Sequence, residues 1–222
     1  SDTTVADTGY TGIKKYMSGR FLVKEVTFKN GVREGLMKSF YQSGKLRQTF
    51  WYTNGLREDS AKWFYEEGNL FRSTPYKKDT IEGIQKQYYR NGKVKAKIGY
   101  KKGFRTSYFE EFDQNGKLVS GYPEMLIKIH DEYKTRGLYR ISLELSDKST
   151  KVNYYRGDFS DGILDTAHCE IIEKIKGTGS LDLKKTGSPT MESVGVIADI
   201  LTSFGNKYLV YKKIDLPYNN LK

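Results

Sequence analysis

Polar and hydrophobic positions alternate with period two through the first half of the chain: Leu46, Gln48, Phe50 and Tyr52 share one side, Arg47, Thr49 and Trp51 the other. Such alternation predicts β-strands, and short polar runs with a turn residue interrupt it at regular intervals. The turn positions are Gly31, Gly44, Gly55, Gly68, Asp79, Gly92, Gly103 and Gly116, spaced 13 and 11 residues in turn, so the pattern has an uninterrupted period of 24. Units begin at Phe28, Tyr52, Tyr76 and Tyr100. Within each unit an aromatic precedes the second turn (Phe40, Phe64, Tyr88, Phe112) and an aliphatic follows it (Leu46, Leu70, Val94, Leu118). Each unit therefore reads as two strands and two turns. Asn-Gly, Ser-Gly, Glu-Gly and Lys-Gly place glycine where a hairpin needs positive φ, which makes these seven glycines structural, and Asp79 tolerates the same region.

The prediction is an all-β chain that opens as a β-meander of 24-residue hairpin repeats, with no helix in it. Tyr16 to Gly19 echo the motif one residue out of step, as a degenerate half-unit that caps the array. The pattern fades through Leu118 to Tyr122, and Pro123 marks the boundary, giving an array over residues 1–123 and a second domain over 124–222. There alternation without a period predicts seven strands: Met125 to His130, Leu138 to Ser146, Lys151 to Arg156, His168 to Ile175, Ser180 to Lys184, Met191 to Thr202 and Lys207 to Leu216. That count suits an immunoglobulin-like β-sandwich, although its Cys, Trp and Cys landmarks are missing, and another seven-stranded sandwich or a small barrel stays open. Val194 to Phe204 also reads as an amphipathic helix.

Both faces of the array strands mix aromatics with Lys or Arg, so neither reads as a dry core wall; laddered aromatics and Lys stems would cover them. The formal charge of +11 is concentrated there: residues 1–123 hold 23 Lys or Arg against 13 Asp or Glu, residues 124–222 hold 15 against 14. The array is thus the part that would feel an anionic partner.

The pattern Tyr-x-x-Gly, a further glycine, an aromatic pair and x-x-Gly-Lys-Leu resembles the MORN repeat variant of bacterial proteins grouped as YwqK-family antitoxins. It is carried by Tyr52 to Gly55 with Phe64 to Leu70, and by Tyr76 to Val94 with Asp79 in place of glycine; the resemblance covers residues 12 to 122. The second glycine is kept at Gly35 and Gly83 but is Asp59 and Ser107 elsewhere, and the fourth unit has Glu110 and Glu111 where others carry Lys or Gln. The resemblance implies a hairpin-repeat architecture and, through the grouping, an inhibitor that occludes a protein toxin.

Catalytic chemistry is poorly supplied. The only histidines are His130 and His168, and His168-Cys169, read as neighbours in a strand, point to opposite faces and cannot share a proton. Cys169 reads as a buried small hydrophobe, and no Cys or His pair has metal-ligand spacing. Arg156-Gly157-Asp158 reads as a turn, and Asp158, Asp161 and Asp165 lack an EF-hand register. No apolar run approaches the roughly 20 residues that span a bilayer. The polar start, Ser1 to Thr8, fits removal of a secretory leader or a trimmed boundary. The resulting expectation is a non-enzymatic, exported binding or scaffold protein (periplasmic, cell-surface or secreted) without cofactor or metal. Its basic, aromatic surface would include Trp51, Trp63, Tyr65, Tyr89, Lys95 and Lys97, and its partner would be another protein or an anionic polymer. The alternatives are an antitoxin-like inhibitor, or a binder of anionic lipid or nucleic acid; nucleic acid ranks lower because lysines also keep exposed sheets soluble.

Overall fold

A computed structural model describes residues 9–184 and 193–216. The chain divides into two compact units, Ser1–Val119 and Ser120–Lys222.

The first unit is an antiparallel meander of β1 (Gly12–Ser18), β2 (Phe21–Lys29), β3 (Val32–Phe40), β4 (Leu46–Thr53), β5 (Leu56–Phe64), β6 (Leu70–Lys77), β7 (Thr80–Ile81), β8 (Gly83–Tyr88), β9 (Val94–Lys101) and β10 (Phe104–Glu111). Strands pair in chain order, with the short β7 beside β6 and β8 continuing the sheet. The two turns of each unit differ in kind. The first is a two-residue loop whose residues both have positive φ, at Asn30-Gly31, Asn54-Gly55, Lys78-Asp79 and Lys102-Gly103, the primed geometry that matches strand twist. The second is closed by a glycine N–H to the carbonyl three residues back, 2.9 Å at Gly44, Gly68, Gly92 and Gly116.

Successive units are stitched at both edges. Along one edge the hydroxyl of the second aromatic of the pair donates to a carbonyl in the next unit: Tyr41 to Phe64 (2.6 Å), Tyr65 to Tyr88 (2.9 Å) and Tyr89 to Phe112 (2.7 Å). Along the other, the N–H groups of Gly55, Asp79 and Gly103 donate to the carbonyls of Arg33, Arg57 and Ile81. Glu34, Glu58 and Glu82 accept from the backbone N–H of Asn54, Lys78 and Lys102 at 2.6, 3.1 and 2.7 Å. In the unit without its first-turn glycine, Asp79 accepts from Arg57 Nε (2.8 Å) and Arg57 N–H (2.9 Å). Burial works against that carboxylate, but the hydrogen bonds and charge of Arg57 outweigh it and hold Asp79 below its ordinary 3.8.

One face of this sheet is a core wall, contrary to the expectation that neither is. Val26, Phe28, Met37 and Tyr52 form its cluster, with Tyr16 and Phe50 packed against it. The same face buries Ala61, Thr74, Gln85, Ala96 and Ile98 further along. Apart from Ile98, this second stretch is filled by small and polar residues, and Gln85 donates to Thr74 Oγ1 within it at 3.0 Å.

The second unit contains β11 (Met125–Glu132), a helical turn α1 (Tyr133–Arg136), β12 (Leu138–Leu145), β13 (Val152–Arg156), β14 (Ile163–Leu164), β15 (Glu170–Ile172), β16 (Lys174–Ile175), β17 (Thr178–Lys184), β18 (Ser193–Leu201) and β19 (Lys207–Asp215). Two four-stranded sheets have the orders β11-β12-β17-β16 and β15-β13-β18-β19. These are the A-B-E-D and C′-C-F-G orders of an immunoglobulin-type sandwich. Their inner faces share one core, with Met125, Tyr139, Ile141 and Leu143 from the first sheet and Val152, Tyr154, Val196 and Ala198 from the second. Tyr154 is fully buried; its hydroxyl donates to Gly177 O at 3.1 Å, and its ring lies where a Cβ on Gly179 would come within 2.8 Å. Burial pushes this phenol up to about 12.

Two expectations fail here. Val194 to Phe204 contains strand β18, not a helix: Val194 to Ile200 are all buried, because a central strand covered on both faces gives a nearly continuous apolar run without alternation, broken only by Asp199, which pairs with Lys207 at 3.1 Å. His168 to Ile175 is not one strand; a 3₁₀ turn at Thr166–His168 precedes β15, and the chain changes sheets between β15 and β16. Met191, expected to start a strand, lies outside the described residues, as does the polar start.

Tyr65→Phe removes one inter-unit hydrogen bond at constant ring volume and should cost about 1 kcal/mol in denaturant unfolding. Gly92 has φ 83° with open space where a Cβ would stand, so strain there is conformational: Gly92→Val should lower Tm, whereas Gly92→Asn should stay close to the parent. The depressed carboxyl of Asp79 contributes stability above its unfolded value, and that contribution is lost as pH falls through the folded value. Acid unfolding below pH 3.8 should therefore be steeper for the parent than for Asp79→Asn, as followed by circular dichroism.

Candidate functional site

The alternation of the meander strands gives its two faces different chemistry. On the covered face cations lie on rings: Arg33 over Tyr52 (4.3 Å), Arg57 over Tyr76 (4.4 Å), Arg72 over Trp63 (4.1 Å) and Lys24 over Tyr16 (4.7 Å). Arg33 and Arg57 stand five residues after a unit start and each reaches the first aromatic of the following unit. Phe50 packs edge-on to Trp63 at 5.4 Å. These guanidinium groups are committed to the wall, and Arg72 Nε is buried there without a hydrogen-bond partner.

The open face carries free charge. Strand register aligns Lys15, Glu25, Lys38, Thr49, Lys62, Ser73, Lys86, Lys97 and Glu110 in one row across nine strands. The ends of the row are neutralised, Lys15 to Glu25 at 3.7 Å and Lys97 to Glu110 at 3.5 Å. Between them Lys38, Lys62 and Lys86 form no ion pair among the described residues. They occupy the same place in three successive units, separated in the row by the short side chains of Thr49 and Ser73. Beside the row on the same face, Leu36, Trp51 and Ile84 are exposed; Trp51 retains 45% of its surface. A shallow groove of about 700 Å³ is lined by Leu36, Thr49, Trp51, Lys62 and Pro75, with Glu58 and Glu82 also on its border.

The six residues singled out from the sequence do not form one stripe. Trp51 and Lys97 lie on the open face, and the strand alternation puts Lys95 there too. Trp63 is on the covered face under Arg72. Tyr65 and Tyr89 are the inter-unit hydrogen-bond donors; the Tyr65 ring also lies under Arg90 at 4.6 Å, and Lys95 Nζ is 6.0 Å from the Tyr89 ring. Lys38, Lys62 and Lys86 were missed, though their recurrence at 24 residues was readable once the units were in register. Glu110 takes their place in the fourth unit, pairing with Lys97 and accepting from Tyr108 at 3.0 Å, while Glu111 is fully buried on the other face.

In the second unit His168 Nδ1 contacts Asp165 Oδ2 at 2.7 Å from an exposed position. Cys169 is half-buried rather than buried, packs against Gly157, and burial pushes its thiol up, away from nucleophilic use. Asp158 accepts from the Tyr211 hydroxyl and packs at Gly195, so the Arg156-Gly157-Asp158 carboxylate is engaged within the fold. That bond also holds the Tyr211 phenol up at about 12. Among the described residues no group of three His, Cys, Asp or Glu could hold a metal ion, and no helix is long and apolar enough to cross a membrane.

No curated protein matches the chain. The family profile of the MORN repeat variant matches three segments, residues 33–54, 60–78 and 81–102. These segments hold the stacked arginine Arg33 and all three unpaired lysines. The two-turn hairpin units that present the lysine row are MORN-variant repeats.

Proposed function

We propose that the protein is a non-enzymatic, exported binding or scaffold protein whose repeat array holds an anionic partner on its open face. The observation that carries this reading is the row of Lys38, Lys62 and Lys86: three ammonium groups repeated at one place per unit, unpaired, beside exposed Leu36, Trp51 and Ile84. A sheet that used lysine only for solubility would need neither the alignment nor the adjoining apolar residues. The covered face is unsuited to the same role, because its arginines are spent on aromatic rings.

Calorimetric titration of the full chain with polyglutamate and with dextran sulfate, at about 50 and about 200 mM salt, tests the reading. Binding should occur at the lower salt and weaken steeply at the higher. The variant Lys38→Ala/Lys62→Ala/Lys86→Ala should lose at least about tenfold in affinity with an unchanged melting transition. Absence of binding to both polymers at the lower salt would overturn it.

A further inference from the structure

Resting on that reading of the open face, we infer the form of its anionic partner: an extended acidic polypeptide segment in the polyproline II conformation, with a carboxylate at every third residue, laid across the strands along the lysine row. Lys38, Lys62 and Lys86 are each two strands apart. At 4.7 to 4.9 Å per strand their Cα atoms are spaced about 9.5 Å. A polyproline II chain has three residues per turn and rises about 3.1 Å per residue, so one side recurs every ~9.3 Å. Three carboxylates on one edge of such a segment meet three lysines with almost no accumulated error. A β-strand presents one side every ~6.7 Å and falls out of step at the first interval. An α-helix repeats its face after seven residues, ~10.5 Å, and drifts by about 2 Å over the two intervals.

The surroundings of the row select a peptide over a uniformly charged polymer. One of the two residues between successive carboxylates lies toward the exposed Leu36 and Trp51 and the half-buried Pro75 of the groove, where proline or another apolar residue finds a partner. The same groove is bordered by Glu58 and Glu82. Their carboxylates cap turn N–H groups of the neighbouring unit and so are fixed in place. A sulfated polysaccharide or a nucleic acid, charged on every side, sets negative groups against those glutamates. A segment charged on one edge only avoids them. Polyproline II chains also carry no internal hydrogen bonds, so the segment can follow the twist of the sheet.

The test compares three fluorescently labelled probes on the full chain by anisotropy: a peptide of Glu-Pro-Pro triplets, a peptide of the same composition with its glutamates contiguous, and dextran sulfate. The periodic peptide should bind at least about fivefold tighter than its blocked isomer. Lys62→Glu should abolish that preference, and Trp51→Ala should weaken the periodic peptide while leaving dextran sulfate unchanged. Equal binding of the two peptides would overturn the inference, as would binding of dextran sulfate alone; in both cases the anion-binding surface itself would stand. Failure of all three probes at low salt would instead remove the binding surface on which the inference rests.

Discussion

The hydrogen bond from each tyrosine hydroxyl to a carbonyl in the next hairpin is the contact on which the array depends. A two-stranded hairpin alone is marginal in water, and a unit whose strands present mainly polar side chains buries too little to stand by itself. Tyr41, Tyr65 and Tyr89 tie one set of turns together, and Glu34, Glu58 and Glu82 tie the opposite set. Both ladders end where the sequence withdraws its donors or acceptors. Asp113 stands where the next tyrosine would be, and Thr106 where the next glutamate would be. The array therefore has a length written into it, with Lys14 and Lys15 on β1 discouraging further strands at that edge.

Stitched turns fix the register, and register decides what the faces can do. With each strand held against its neighbour, the residues one unit apart become neighbours two strands apart. On the covered side this stacks Arg33 and Arg57 over the next unit's tyrosine, each contact contributing about 0.5 to 2 kcal/mol. The third unit has Ile81 at that place. On the open side the same geometry turns a lysine found once per unit into a continuous charged row. Stability and binding are thus separated by the two-residue alternation of a strand: one parity holds the sheet together, the other is left for a partner.

The second unit reaches its fold by a different route. Its core is apolar and continuous, and two fully buried tyrosines, Tyr139 and Tyr154, stand in it where immunoglobulin domains carry their landmarks. Tyr154 on β13 fills the middle of the sandwich against Gly179 on β17 and anchors its hydroxyl on Gly177 O. The ring supplies the volume, and the absent side chain opposite supplies the room.

Period, turn positions and strand parity were all determined by the sequence itself, because each depends on neighbours within a few residues. Gly31 and Asp79 stand at turn positions of the period, where positive φ is tolerated, and Leu46 to Tyr52 divide between two faces in any sheet. Most strands of the second unit were legible for the same reason, although the expected seven became nine once His168 to Ile175 divided and Ile163–Leu164 added a short strand. What only the tertiary structure decided are relations between residues distant along the chain. Tyr65 and Tyr89 look like free aromatics until the carbonyls 23 residues later come within reach. Trp51 and Trp63 look alike until parity puts one in solvent and the other under Arg72. Val194 to Ile200 looks helical until β13 and β19 flank it and both faces are covered. Lys38, Lys62 and Lys86 carried a periodic signal, but a periodic lysine is a solvated charge in one register and part of a row in another. The distinction lies in the hydrogen bonds that lock strand against strand, and those exist only in the folded sheet.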